Sequence, residues 1–183
     1  MANYDFGMFT VLVVEDNHYM RTMLRALLYA VGVGNVLLVK DGEEATELLR
    51  KIKENPVEAG VSTVDLIFSN WQMAPVDGAM LLKWVRRSKD SPDRFVPFVM
   101  VSGYGDVVKV AEARDLGATE FLAKPYSIDG LVKRIMVLVD RPRQFVLTPE
   151  YFGPDRRRQA MPRQEPDRRV TTEADIEIIY DDR

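Results

Sequence analysis

The fold is decided early in the chain by the stretch Val11-Leu12-Val13-Val14-Glu15-Asp16-Asn17. Its four apolar residues, three of them β-branched, favour a buried β-strand. An apolar residue at every position is typical of a strand in a parallel sheet that is covered on both faces. Two carboxylates follow at once, where such a strand ends. The stretch therefore predicts a parallel strand with acidic residues at its carboxyl end.

The rest of residues 1–140 repeats this alternation of short apolar runs and longer helical patterns. Five strands are predicted, at Thr10 to Val14, Asn35 to Val39, Leu66 to Ser69, Phe98 to Val101 and Glu120 to Leu122. Five helices are predicted, at His18 to Ala30, Glu43 to Asn55, Gly78 to Ser88, Asp106 to Leu116 and Ser127 to Val139. The order predicts an α/β fold, a doubly wound five-stranded parallel sheet with helices on both faces.

Polar residues follow four of these strands, and in such folds the functional crevice lies beyond the carboxyl ends of the strands. They are Glu15 and Asp16, Asn70, Ser102, and Lys124. Carboxylate and amide oxygens suit magnesium, and a hydroxyl with an ammonium group suits a phosphoryl group beside it. Each residue alone would be read as structural, but their shared position after successive strands predicts one site.

Composition limits the remaining possibilities. The chain has 183 residues and a net charge of −3, so any basic binding surface must be local. Cysteine is absent, which excludes disulfides and thiolate sites. No apolar run approaches the roughly 20 residues of a membrane span, and a basic-then-apolar leader is absent, so we expect a cytoplasmic protein. We expect residues 1–140 to form one domain, and residues 141–183 to form a largely irregular, arginine-rich extension, partly disordered without ligand.

The first 140 residues resemble the receiver domain of two-component response regulators, and the chemotaxis regulator CheY in particular. The resemblance rests on Val11 to Asn17, Asp65 to Met73, Val76-Asp77-Gly78, Val101-Ser102-Gly103 and Ala123-Lys124-Pro125. It implies that Glu15 and Asp16 are metal ligands, and that Asn70 is a third, neutral oxygen ligand in a site that binds Mg²⁺ weakly. It also implies switch roles for Ser102, Phe121 and Lys124, and a signalling protein that is not an enzyme.

Asn70 occupies the position of the family's phosphorylated aspartate. An amide is a much poorer nucleophile than a carboxylate, so we expect no acyl phosphate and no catalytic residue here. Losing one of three charges should also weaken magnesium binding. Asn70 is either native to a degenerate receiver or a deliberate substitution that silences phosphorylation. The sequence leaves both explanations open.

The extension contains one motif twice. Gly153-Pro154-Asp155-Arg156-Arg157-Arg158 returns twelve residues later as Glu165-Pro166-Asp167-Arg168-Arg169. We name these the first and the second arginine unit. Arginine can donate two bonds to guanine O6 and N7, and a carboxylate can accept from the guanine N1 and N2 hydrogens. Two copies suggest a ligand with two similar ends. Composition alone also fits an unstructured, solvated tail.

A receiver followed by Tyr151-Phe152 and these units resembles the Cle proteins, CheY-like effectors that bind cyclic di-GMP through an arginine-rich C-terminal stretch. The resemblance implies cyclic di-GMP as ligand and a flagellar motor switch component as partner, with recruitment to the flagellar pole or motor. The implied ligand-binding residues are Tyr151, Asp155, Arg156, Arg157, Arg158, Asp167, Arg168 and Arg169. We expect Phe145 to Leu147, with Tyr151 and Phe152, to dock on the receiver. For residues 171–183 a short strand, a helix or an acidic counterweight all remain open.

Two other functions remain. The extension could bind nucleic acid or an anionic surface without specificity, although the two aspartates argue against this. Alternatively, the protein could be a conventional phospho-accepting regulator in which Asn70 is engineered. The spacing of Arg87 and Asp90 matches the Arg-x-x-Asp pattern of some cyclic di-GMP sites, but at the end of a helix we read it as coincidence.

Overall fold

The computed structural model describes residues 5–103, 107–156 and 177–179. Its main sheet has five strands: β1 (Thr10–Val14), β2 (Asn35–Val39), β3 (Leu66–Asn70), β4 (Phe98–Ser102) and β5 (Glu120–Ala123). All are parallel, in the order β2-β1-β3-β4-β5. The predicted α/β fold is confirmed, and each predicted strand differs from the observed one by at most one residue.

In the part of the chain that the structure describes, six helices surround this sheet: α1 (His18–Ala30), α2 (Gly42–Glu54), α3 (Pro56–Ala59), α4 (Gly78–Arg87), α5 (Val107–Leu116) and α6 (Ile128–Asp140). Side-chain caps fix several of their starts, because Asn17, Asp41, Asp77 and Ser127 each accept a hydrogen bond from a backbone N–H of the first turn. The four-residue α3 was missed by the sequence analysis. None of the described helices is long and apolar enough to cross a membrane.

Two apolar layers hold the helices against the sheet. Alternate strand residues point to opposite faces, so Leu12 and Ile67 enter one layer, whereas Val13 and Phe68 enter the other. Helices α2 and α4 pack in the first layer, and α1 and α6 pack in the second. This arrangement leaves the carboxyl ends of the strands open for polar residues.

The extension forms a second, antiparallel sheet, in the order β7-β6-β8. Its strands are β6 (Phe145–Leu147), β7 (Phe152–Pro154) and β8 (Glu177–Ile179). The expected docking of residues 145–152 is seen, because Phe145, Tyr151 and Phe152 are buried. For the residues beyond 171, Glu177–Ile179 forms a strand on β6. Since β7 and β8 lie on either side of β6, both ends of the segment that contains the two arginine units join one sheet.

Candidate functional site

The carboxyl ends of β1, β3, β4 and β5 bring five of the predicted residues together. We call this site the carboxyl-edge pocket, and its members are Glu15, Asp16, Asn70, Ser102 and Lys124. Glu15 and Asp16 follow β1 directly, Asn70 and Ser102 end their strands, and Lys124 follows β5. The loop after Asn70 passes very close to α4, where a Cβ on Gly78 would collide with the Asn70 carbonyl oxygen.

Asn70 links the two sides of this pocket. Its Nδ2 donates to Asp16 Oδ1 at 3.0 Å and to the Gln72 carbonyl at 2.8 Å. Its Oδ1 accepts from Lys124 Nζ at 3.2 Å, and Lys124 Nζ also pairs with Glu15 Oε2 at 2.6 Å. An aspartate at this position could not donate to Asp16. The amide therefore joins two carboxylates and an ammonium group into one connected network.

Burial shapes the electrostatics of this network. Glu15 is 4% exposed, and burial raises its pKa, although the adjacent Lys124 acts in the opposite direction. Tyr126 lies nearby, and burial together with the charge of Glu15 raises its pKa to about 12. The phenol of Tyr126 therefore stays protonated at neutral pH.

Sequence reasoning missed three residues around the pocket. Tyr126 lies two residues after Lys124, which is a usable signal. Arg21 donates from Nη1 to the Glu15 carbonyl at 2.5 Å and lies one helical turn after the cap residue Asn17. Lys109 Nζ lies 4.7 Å from the centre of the Trp71 ring. That last contact joins α5 to the residue after Asn70, and no local pattern indicated it.

Two of the predicted switch residues, Ser102 and Phe121, are buried. Ser102 is buried at the end of β4, opposite Ala123 of β5. Phe121 is 8% exposed and packs in the same apolar layer as Trp71 and Met100. Within the described residues these contacts place Phe121 inside the core rather than at the surface.

The carboxyl-edge pocket offers magnesium few ligands. No group of three or more histidine, cysteine, aspartate or glutamate residues that could hold a metal occurs in the described part of the chain. The pocket has two carboxylates, and Asn70 adds a neutral oxygen. Hard oxygen ligands fit magnesium chemically, but Lys124 already pairs with Glu15 and Asn70.

Comparison with known proteins agrees with this geometry. A family model described as the response regulator receiver domain matches residues 11–136. The chain belongs to this family. It is 30% identical over 129 residues to the chemotaxis protein CheY1 of Helicobacter pylori, a match that covers 70% of this chain and 95% of that protein. The osmosensing histidine protein kinase SLN1 of Saccharomyces cerevisiae is 32% identical over 115 residues, which are 63% of this chain but 9% of the kinase.

Solved structures give the same result. A response regulator of Chloroflexus aurantiacus superposes with a TM-score of 0.61 at 28% identity, covering 73% of this chain and 98% of that one. The receiver domain of the Arabidopsis thaliana histidine kinase CKI1, solved with Mg²⁺ and BeF₃⁻, superposes with a TM-score of 0.58 at 28% identity, covering 70% and 89%. The protein therefore has a CheY-like receiver domain of the kind used in two-component signalling.

The extension docks on the opposite end of the receiver sheet. Phe145 and Phe152 pack against each other and against Phe95 of the receiver, with ring centres 5.1 to 5.5 Å apart. Gly153 approaches Gly117 so closely that a Cβ at Gly153 would lie 2.9 Å from the Gly117 Cα. Phe95 precedes β4 and Gly117 precedes β5, so this contact lies at the amino ends of the strands.

A fully buried guanidinium supports this contact. Arg86 Nη1 donates to the carbonyls of Arg94 and Val96 at 2.8 and 2.9 Å, and Nε donates to the carbonyl of Gly117 at 3.1 Å. The guanidinium carbon also lies 5.2 Å from the centre of the Phe145 ring. Burial lowers the pKa of Arg86 to about 10, which still leaves it charged at neutral pH.

The described part of the first arginine unit lies against the receiver. Arg156 Nη1 lies 3.2 Å from Asp115 Oδ1, and its guanidinium carbon lies 4.6 Å from the centre of the Tyr151 ring. Tyr151 is 8% exposed and donates its hydroxyl to the Pro154 carbonyl. Arg143 donates to the Asp155 carbonyl, and the Asp155 N–H donates to the Gln144 carbonyl at 2.7 Å.

The structure thus brings Tyr151, Asp155 and Arg156 together. The Tyr151 ring is covered by Arg156, so its face is in contact with an arginine in this conformation. The other predicted ligand-binding residues lie outside the described residues; they are Arg157, Arg158, Asp167, Arg168 and Arg169.

Proposed function

We propose that this protein is a cyclic di-GMP effector, in which the arginine units of the extension bind the ligand and thereby control what the receiver binds. In this proposal residues 1–140 are the receiver and residues 141–183 are the ligand-responsive extension. The binding residues are Tyr151, Asp155, Arg156, Arg157, Arg158, Asp167, Arg168 and Arg169.

The position of Arg156 is the observation on which this proposal rests. Its guanidinium lies over Tyr151 and beside Asp115, on a segment fixed by the burial of Phe145 and Phe152. A guanidinium stacked on a ring keeps its N–H groups directed outward in its own plane, which suits bonding to a guanine edge. The first arginine of the first unit therefore already has an ordered partner on the receiver.

The ligand would act through the energy difference between two arrangements of the extension. Cyclic di-GMP has two guanines and two phosphates, which match two copies of a unit with one aspartate and two or more arginines. A ligand shifts an equilibrium only by its differential affinity for the two states. If the segment between β7 and β8 takes one arrangement on the ligand, the free energy of that step lowers the apparent affinity for cyclic di-GMP. The same step would couple ligand binding to the surface of the receiver.

The carboxyl-edge pocket supports an input other than phosphorylation. Asn70 lacks a nucleophilic carboxylate, and its amide bonds to both Asp16 and Lys124. Glu15, Asp16 and Asn70 would hold Mg²⁺ weakly, which would supply charge neutralisation there. Ser102, Phe121 and Lys124 would remain available as conformational switch residues.

The partner in this proposal is a protein, with a flagellar motor switch component as the first candidate. The support for this partner is the similarity of the chain to chemotaxis proteins named CheY. The protein would act in the cytoplasm, with recruitment to the flagellar pole or motor.

Calorimetric titration with cyclic di-GMP, with GTP and cyclic di-AMP as controls, tests the ligand. We expect selective binding that persists at near-physiological salt. Arg156→Ala and Arg168→Ala should each weaken it by tenfold or more, because a bidentate arginine–guanine contact is worth ~1–3 kcal/mol. Arg163→Ala is the matched control, since Arg163 lies between the two units and outside both.

The control separates specific recognition from charge. If Arg163→Ala weakens binding as much as Arg156→Ala, and affinity falls steeply with salt for all three nucleotides, the extension binds anions generally. Unchanged affinity in both Arg156→Ala and Arg168→Ala would contradict the proposed binding residues.

A second function is favoured by the geometry of the carboxyl-edge pocket. Asp16 and Lys124 bond to Asn70, Glu15 pairs with Lys124, and Ser102 ends the strand next to that of Asn70. We therefore also propose that Asn70→Asp would accept phosphate from a small phosphodonor in the presence of Mg²⁺. If this variant incorporates phosphate and the parent chain does not, the nucleophile is the one part of the phosphorylation site that the pocket lacks.

A further inference from the structure

The receiver contains a third copy of the tripeptide Pro-Asp-Arg that both arginine units share. Pro92-Asp93-Arg94 lies in the loop between α4 and β4, remote in sequence from Pro154-Asp155-Arg156 and Pro166-Asp167-Arg168. The structure places this copy against the extension, where the Arg94 guanidinium carbon lies 3.4 Å from the centre of the Phe152 ring.

Arg94 and Arg156 repeat one local arrangement. Each is the arginine of a Pro-Asp-Arg tripeptide, and each lies on one of two consecutive aromatic residues, Phe152 and Tyr151 respectively. A separation of 3.4 Å is the contact distance of stacked groups, so the N–H edge of Arg94 remains directed away from the ring. Among the described residues, the Arg94 side chain donates to no hydrogen-bond acceptor.

Arg94 forms the wall of an open pocket of about 390 Å³. Three cationic side chains line it, Arg87, Lys89 and Arg94, against one carboxylate, Asp93. The size lies within the ~300–1,000 Å³ of small-molecule sites. Ser91 also lines the pocket, and its buried hydroxyl has no hydrogen-bond partner within the described residues. Such an excess of positive charge, beside a carboxylate that already accepts from the Phe95 N–H, suits a phosphate joined to a guanine.

The pocket is coupled directly to the docked extension. Arg87 Nη2 donates to the Glu150 carbonyl at 2.8 Å, in the turn between β6 and β7. Phe95, the residue after Arg94, packs edge-on against both Phe145 and Phe152. A ligand held by Arg87 and Arg94 would therefore contact the same strands that lead into the first arginine unit.

We propose that this pocket, with Arg94, Arg87 and Asp93 as its binding residues, holds one guanosine phosphate end of cyclic di-GMP. The inference rests on the proposed function and adds to it a receiver-side part of the ligand site. The ligand then bridges receiver and extension, which explains why a sequence motif of the extension recurs in a receiver loop. Arg94 and Asp93 read the guanine edge, and Arg87 neutralises the phosphate.

The first test follows backbone amide signals by nuclear magnetic resonance while cyclic di-GMP is added to the unaltered protein. The backbone N–H signals of residues 88–91 and 93–95 should shift with the same midpoint as calorimetric binding. GTP and cyclic di-AMP should not shift them at equal concentrations. Equal shifts with all three nucleotides would make the pocket a general anion site and overturn the proposal, as would an unshifted loop at saturation.

The second test uses a substitution that keeps the charge. Arg94→Lys retains the positive charge and removes the planar pair of donors, and should weaken cyclic di-GMP binding by about tenfold. Arg25→Ala, which removes an exposed arginine from α1, is the control and should bind like the parent. If Arg94→Lys and Arg87→Ala both bind cyclic di-GMP as tightly as the parent does, the pocket is not part of the ligand site. The proposed function would be unaffected by that result. Absence of binding by the parent overturns both.

Discussion

The two ends of the receiver sheet contain opposite kinds of charged site. At the carboxyl edge, two carboxylates, an amide and a lysine satisfy each other, with Asn70 between Asp16 and Lys124. At the amino edge, cations outnumber acids, and Arg86, Arg94 and Arg156 lie on aromatic rings. Strands of four or five residues at ~3.3 Å each separate these sites by roughly 15 Å.

Under the proposed function, this difference would let a receiver change its input without changing its fold. In the carboxyl-edge network, two carboxylates share one ammonium group and one amide, which gives each member a partner and leaves one net negative charge. At the amino edge, Arg86 is buried and bonded to backbone carbonyls, whereas Arg94 and Arg156 lie on ring faces and are exposed.

Arg86→Ala should have the largest effect on stability. It would leave the carbonyls of Arg94, Val96 and Gly117 without their donor and open a cavity under Phe145. Loss of a buried, fully hydrogen-bonded charged group costs ~3–5 kcal/mol. Urea unfolding measures this change in the free energy of unfolding.

The neighbouring Arg87 supplies the control for that experiment. Arg87 is exposed and makes one described hydrogen bond, to the Glu150 carbonyl. Arg87→Ala should cost less than ~1 kcal/mol. Similar losses for the two variants would mean that Arg86 is not the support of the amino edge.

Asn70→Asp tests the role of the neutral amide at the carboxyl edge and should have an intermediate effect. The new carboxylate would lose the bonds from Nδ2 to Asp16 and Gln72 and would face Asp16 directly. We expect a loss of ~1–3 kcal/mol without magnesium, because a bonded pair becomes a repulsive one.

Magnesium should reverse that loss, since a third carboxylate completes a hard oxygen site. Thermal unfolding with and without Mg²⁺ measures the effect, and the parent chain should respond much less. A parent chain stabilised by Mg²⁺ as strongly as the variant would show that Asn70 does not weaken the metal site.

Local patterns predicted the receiver well and the extension poorly, for physical reasons. The five strands and the helix caps depend on residues that are close in sequence, so periodicity and side-chain chemistry located them. The three-residue strands β6, β7 and β8 depend on pairing, and β8 joins β6 across about thirty residues of chain. The burial of Arg86 depends on carbonyls of residues 94, 96 and 117, which no pattern around α4 indicates. The helix α3 was predictable, because Asn55 caps it and Pro56 begins it.

The smallest predicted effect concerns the contact between Asp115 and Arg156. Burial alone would raise the pKa of Asp115, but hydrogen bonds from Arg114 and Arg156 outweigh it and hold this pKa below its ordinary value. A lowered carboxyl pKa contributes stability that is present above the ordinary aspartate pKa and is lost as pH falls through the folded-state pKa.

Both side chains are about half exposed, so Asp115→Asn should lower the free energy of unfolding by less than ~1 kcal/mol at pH 7. The difference between parent and variant should vanish in acid, when Asp115 of the parent is protonated. Urea unfolding of both proteins at pH 7 and at stepwise lower pH gives this comparison, and a difference that persists once Asp115 of the parent is protonated would show that Asp115 acts by packing rather than by its charge on Arg156.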